Sequence, residues 1–160
     1  MAIPVETLID QLRRGPARQQ VEAAEQLAQR GPAAQPAILD LVRCLGNGDS
    51  EVRNWSAAAL ESVGPPSKRQ ISDLATLAGA ATADIAYWAI TLLGRSGVSS
   101  PEVVSALLDR LQDPATPEVQ QRAAWALGKI GDGDIRVKQA LQHAAEGDGS
   151  VAIEAQRALR

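Results

Sequence analysis

Aliphatic residues return every 33 positions along this chain, and this recurrence constrains the fold more than any other feature. One series is made up of Val5, Ile38, Ile71, Val104 and Val137. Two further series take the same step, through Leu8, Leu41, Leu74 and Leu107, and through Leu12, Leu45, Ala78, Leu111 and Ala144. Because the three series are three and four residues apart, they predict one apolar stripe along a helix, called helix A of each repeat.

A second helix, helix B, is predicted in every repeat. Its repeating leucines are Leu27, Leu60, Leu93, Leu127 and Leu159. A glycine follows the first four leucines after four residues, at Gly31, Gly64, Gly97 and Gly131, where a helix can stop with positive φ. The sequence therefore predicts an all-α solenoid of five helix pairs in a single domain, residues 1–160, with repeats near 1–31, 32–64, 65–97, 98–131 and 132–160.

The composition favours a helical fold and argues against binding to nucleic acid or to a membrane. The chain has no phenylalanine, and alanine, the best helix former, supplies much of its apolar content together with leucine. A net charge of −3 argues against a nucleic-acid surface, and no apolar run is long enough to suggest a signal peptide or a membrane span. We therefore expect a cytoplasmic protein that binds neither nucleic acid nor membrane.

Two stretches of helix B carry a family resemblance. "DSEVRNWSAAALESVG" (49–64) and "TPEVQQRAAWALGKIG" (116–131) resemble the short HEAT-like repeats of the phycobilin-lyase type. In that pattern an arginine follows the valine and pairs with acidic residues along the stack. Here only Arg53 keeps it, and the equivalent positions hold Gln20, Ala86, Gln120 and Ala152. We expect packing, not an ion-pair ladder, to hold the repeats together.

The resemblance implies that the B helices line a concave surface. On a helical wheel that takes the repeating leucine as the core side, Trp125 points nearly opposite the core and is expected to be substantially exposed. Aromatic and basic residues are enriched where proteins bind proteins. The predicted binding residues are Trp55, Tyr87, Trp88, Arg95, Arg122, Trp125 and Lys129. For Trp55 and Trp88, packing between repeats is the alternative interpretation.

Catalytic and metal-binding motifs are not found in the sequence. Cys44 and His143 are the only residues of their types, and they lie too far apart along the repeats to act as a pair. No cluster has the spacing of a metal site, and no glycine-rich phosphate loop follows a strand. We expect no catalytic residue, no metal and no cofactor.

Two functions remain open. The first is a non-catalytic scaffold that binds a protein or peptide through the concave face. The second, implied only by the resemblance, is a lyase-like or chaperone-like subunit handling a bilin, with Arg122 or Lys129 pairing with its propionates. The apolar residues Val151, Ile153 and Ala155 also allow self-association through the C-terminal repeat, with fraying of the last helix as the alternative.

Overall fold

Five helix pairs follow one another in the computed structural model, which describes residues 1–131 and 133–160. None of these described residues lies in a strand, so the all-α prediction is confirmed. The chain forms two compact units, residues Met1–Gln70 and Ile71–Arg160. The single-domain assignment stays a prediction.

The first unit contains two helix pairs and two short 3-10 helices. Its α-helices are α1 (Val5–Arg14), α2 (Ala17–Arg30), α3 (Ile38–Cys44) and α4 (Ser50–Ser62), and its 3-10 helices are Gly31–Ala37 and Lys68–Gln70. Helices α1 and α3 are A helices, and α2 and α4 are B helices. Each pair packs within itself, and α2 also packs on α4.

The second unit contains three helix pairs. They are α5 (Ile71–Leu77) with α6 (Ala83–Ser96), α7 (Pro101–Gln112) with α8 (Pro117–Ile130), and α9 (Ile135–Ala145) with α10 (Gly149–Ala158). Within this unit the A helices pack in the order α5, α7, α9, and the B helices in the order α6, α8, α10. Each of the helices α5 to α8 is thus covered by the equivalent helix of the next repeat, as expected of stacked repeats.

The 33-residue series form the core of both units. All four leucines of the second A series, Leu8, Leu41, Leu74 and Leu107, are buried, as are the first four leucines of the B series. The outermost repeats are less covered: Val5 and Ala144 are half-buried and Leu159 is exposed. The register predicted from the sequence is therefore confirmed except at its ends.

Polar side chains start several of the helices. The Asp49 carboxylate accepts hydrogen bonds from the backbone N–H groups of Glu51 and Val52, at 2.8 and 3.4 Å. The Ser100 hydroxyl accepts one from the N–H of Val103 at 3.4 Å. These bonds satisfy donors that a helix leaves free at its first turn, so they fix where each helix begins.

At the position of the family arginine, a glutamine joins helix A to helix B in two of the repeats. The Gln20 side chain donates to the Leu12 carbonyl at 2.7 Å, and Gln120 donates to the Leu111 carbonyl at 2.9 Å. Arg53, at the equivalent position, donates to a carbonyl of its own A–B turn at 2.6 Å. The two glutamines that replace the family arginine thus hydrogen-bond to the end of helix A, so packing alone does not hold these two pairs together.

Gly131 departs from the prediction for the helix stops. Gly31, Gly64 and Gly97 have positive φ as expected, but Gly131 has φ −84°. A Cβ at Gly131 would lie 2.4 Å from Cγ1 of Val137 and 2.7 Å from the Leu127 carbonyl. The glycine is needed because α9 passes close by, and not because of its backbone angle.

We predict that Gly131→Ala destabilises the protein by about 1–3 kcal/mol, because the added methyl group overpacks the contact with Val137. Urea unfolding followed by circular dichroism measures the change. Gly48→Ala is the matched control, since a Cβ there meets no atom within 4 Å and its φ is not positive. Equal stability of the two variants would contradict the steric explanation.

Cys44 gives a second prediction, for the first unit. Burial raises the pKa of the half-buried Cys44 thiol, and the Asp40 carboxylate adds to the rise. Because the unfolded chain then ionises first, the free energy of unfolding should fall as the pH rises above the ordinary thiol pKa, until the raised pKa is passed. Cys44→Ala should lack this contribution.

The pH dependence of alkylation tests the thiol directly. The iodoacetamide reaction rate of the native protein, measured between about pH 7 and pH 10, should have its midpoint above that of the urea-unfolded chain. A native midpoint at or below the unfolded one would show that burial does not protect the thiol.

Candidate functional site

Six of the seven predicted binding residues form one connected cluster on α6 and α8, which pack side by side. We call it the ring–cation cluster: Tyr87, Trp88, Arg95, Arg122, Trp125 and Lys129. The seventh residue, Trp55, is half-buried on α4 of the first unit. The cluster belongs entirely to the second unit.

Arg122 lies at the centre of the cluster, between two aromatic rings. Its guanidinium carbon is 4.6 Å from the centroid of the Tyr87 ring and 4.8 Å from that of the Trp125 ring. Its Nη2 also donates a hydrogen bond to the Tyr87 hydroxyl. Both rings offer their electron-rich faces to the cation, so the long arginine side chain is held in one position.

Trp125 is less exposed than predicted. Its ring lies against Gly94 of α6, where an added Cβ would be 2.5 Å from Cζ3 of the tryptophan. Lys129, one turn further along α8, places its Nζ 5.9 Å from the centroid of the same ring. The expectation of substantial exposure is wrong, because a glycine on the neighbouring helix lets the half-buried ring settle between α6 and α8.

Trp88 is the buried residue of the cluster and contacts both Tyr87 and Arg95. It is only 8% exposed, and its ring meets the Tyr87 ring edge-on, with centroids 6.0 Å apart. The Arg95 guanidinium carbon lies 5.5 Å from the Trp88 ring centroid. Trp88 therefore holds Tyr87 and Arg95 and presents almost no surface to a ligand.

Thr91 also lies deeper than the helical wheel predicts. It occupies the same outward row as Trp125, yet it is buried, and its hydroxyl donates to the Tyr87 carbonyl at 2.8 Å. Most of α6 is buried, from Ala86 through Gly94 with the exception of Tyr87. The exposed part of the cluster is therefore the part on α8 together with Tyr87 and Arg95.

A cleft of about 290 Å³ opens beside Arg122. Its lining residues are Tyr87, Glu118, Gln121, Arg122, Trp125 and Glu154. Three of them, Glu118, Gln121 and Glu154, are not among the predicted binding residues. Glu154 and Arg122 each lie five positions before the repeating leucine of their B helix. This shared position could have identified Glu154 from the sequence.

The charges around the cleft are mixed. Glu154 forms an ion pair with Arg157 at 3.5 Å. Among the residues that the structure describes, neither Arg122 nor Lys129 forms an ion pair with a carboxylate. The cleft thus offers a guanidinium beside two aromatic rings, and two acids, Glu118 and Glu154, also line it.

No arrangement suited to metal binding occurs in the described part of the chain. No group of three or more His, Cys, Asp or Glu side chains there is placed to hold an ion. Cys44 belongs to the first unit, and His143 is an exposed residue of the second. Among the described residues, no helix combines the length and apolar character that spanning a bilayer requires.

The C-terminal repeat exposes less apolar surface than predicted. Ile153 is 52% exposed and Val151 is half-buried, whereas Ala155 is fully buried. Ala155 lies on α10, which packs on α8. Self-association through this repeat stays a prediction, with a smaller surface than the sequence indicated.

Comparison with solved structures shows the same fold in natural and designed proteins. A designed armadillo repeat protein in complex with the peptide (KR)4 is 21% identical, with a TM-score of 0.64 over 97% of this chain and 80% of that one. The complex of CpcE and CpcF of phycocyanin lyase from Nostoc sp. PCC7120 is 19% identical, with a TM-score of 0.62 over 98% of both chains. The fold is that of an armadillo or HEAT repeat solenoid.

An engineered protein is similar at 26% identity and a TM-score of 0.63, over 97% of this chain and 46% of that one. Comparison with curated protein sequences gives no significant match. Residues 71–160, more than half of the chain and the whole of the second unit, match the family of HEAT repeats. This chain therefore belongs to the HEAT repeat family.

Proposed function

We propose that this chain is a non-catalytic scaffold that binds an extended segment of a partner protein on the B helices of its second unit. The observation that carries the proposal is the Arg122 guanidinium fixed between the Tyr87 and Trp125 rings at the mouth of a cleft. Tyrosine, tryptophan and arginine are the residue types that most often dominate binding energy in protein interfaces. Here all three meet in one place.

The size of the cleft supports a side chain as occupant. Pockets for whole small molecules usually measure 300–1,000 Å³, and the cleft of about 290 Å³ lies at the lower edge of that range. One side chain of a bound peptide fits such a volume, while the rest of the peptide lies along the B helices. The designed armadillo protein of the same fold is bound to a peptide, which supports this mode of use.

The proposed role needs no chemistry from the protein. The described residues contain no cluster for a metal, and the lone thiol is half-buried with a raised pKa, which lowers its nucleophilicity. The side chains at the cleft are those that bind and orient. Binding by shape, aromatic contact and charge accounts for them.

A bilin-handling subunit is the second candidate. The full-length match to the phycocyanin lyase complex favours it, as does the presence of the cations Arg122 and Lys129 beside a flat aromatic ring. If a bilin binds, its absorption band should intensify and shift to the red on mixing with the protein. An unchanged spectrum would favour the peptide-binding scaffold.

We predict that Trp125→Ala weakens peptide binding about tenfold or more, because it removes one of the two rings that hold Arg122. The probe is a set of peptides selected from a random display library on the full wild-type chain. Fluorescence anisotropy of the labelled peptides gives the dissociation constants. Circular dichroism checks that the variant keeps its helix content.

Ile135→Ala is the matched control. Ile135 is 62% exposed on α9 and does not line the cleft, so the variant loses apolar surface in the same unit outside the proposed site. Trp55→Ala shows whether the first unit contributes a second anchor, as the sequence analysis expected. Equal binding by the wild type and Trp125→Ala would contradict the proposed site.

A further inference from the structure

We infer that the bound segment carries a single carboxylate side chain and that Arg122 receives it. This inference rests on the proposed function and specifies the partner's chemistry: an isolated Asp or Glu in an otherwise uncharged stretch. Four properties of the site support it.

The first property is preorganisation. A free arginine side chain loses much conformational entropy when it binds a ligand. Arg122 is already restricted, because it contacts the Tyr87 and Trp125 rings and the Tyr87 hydroxyl accepts one hydrogen bond from it. Within the described residues only one of its nitrogens has a hydrogen-bond partner, so the planar edge can donate two parallel bonds to a carboxylate.

The second property is charge without a partner. Glu118 lies one turn before Arg122 on the same helix, and Glu154 faces the same cleft, yet neither forms an ion pair with Arg122. Glu154 is engaged with Arg157 instead. After its first turn, α8 carries only two charged side chains, Arg122 and Lys129, and both are positive.

The third property disfavours a basic occupant. A lysine or arginine from a partner would bind here through the ring faces or through unpaired carboxylates. Arg122 lies over the Tyr87 and Trp125 rings, and Lys129 also lies over Trp125. Of the two carboxylates, Glu154 is paired with Arg157, and Glu118 lies one turn from Arg122 on the same helix. An incoming cation would have to displace these groups and would be repelled by them.

The fourth property excludes a phosphate or a run of acids. The cleft contains one cation and two carboxylates, Glu118 and Glu154. A phosphoryl group carries nearly two charges and needs several cationic donors. A single carboxylate matches the single guanidinium, whereas Glu118 and Glu154 add to the cost of every additional negative charge.

Peptide libraries with a fixed central residue test the inference on the full chain. Four libraries are compared, with Glu, Gln, Lys or phosphoserine at the centre and uncharged residues elsewhere. We expect the Glu library to bind wild type at least about tenfold more tightly than the Gln library, the range for a hydrogen-bonded charge. In Arg122→Gln this difference should vanish.

Two variants separate the role of Arg122 from a general charge effect. Arg136→Gln removes the same charge from the same unit, at a residue already paired with Asp134 at 3.1 Å, and should keep the preference for Glu. Tyr87→Phe keeps the ring but loses the hydroxyl that positions Arg122. It should lower the preference for Glu, measured as the ratio of Glu-library to Gln-library affinity, several-fold.

The outcomes distinguish the two proposals. If Glu and Gln libraries bind wild type equally, or if Arg122→Gln keeps the preference for Glu, this inference is wrong and the scaffold function stands. Tighter binding of the Lys or phosphoserine library also overturns it. If none of the libraries binds, both the inference and the proposed function fail.

Discussion

The close approach of α6 and α8 is the contact on which the rest of the site depends. It requires a residue without a Cβ at position 94, because a side chain there would collide with the Trp125 ring and with the backbone of Ala126. With the ring seated, Trp125 provides one wall for Arg122, and Tyr87 on α6 provides the other. The packing of Trp125 against Gly94 of the preceding repeat thus determines the position of the Arg122 guanidinium.

The register of the repeats could be predicted because it depends on local periodicity. Every repeat must bury one apolar stripe per helix. The spacing of Leu8, Leu41, Leu74 and Leu107 therefore predicts their burial. The periodic argument fails where neighbours differ. Gly131 resembles the other helix stops in sequence, but the entry of α9 beside it changes the reason for the glycine.

The candidate site was predictable only as a set of residue types on a face. A helical wheel gives a direction for each side chain but not the position of its neighbours, so it predicted that Trp125 would be exposed to solvent. Tyr87 and Arg122 are 35 residues apart, and their contact depends on the packing distance between two helices. That distance is set by Gly94 and by the small residues around it.

The glutamine bonds between paired helices have a consequence for the environment in which these repeats work. Gln20 and Gln120 replace a charged residue with a neutral amide, and each amide reaches a backbone carbonyl. Mobile ions do not weaken such a bond as they weaken an exposed ion pair. The contacts between helix A and helix B at Gln20 and Gln120 should therefore be as strong at high salt as at low salt.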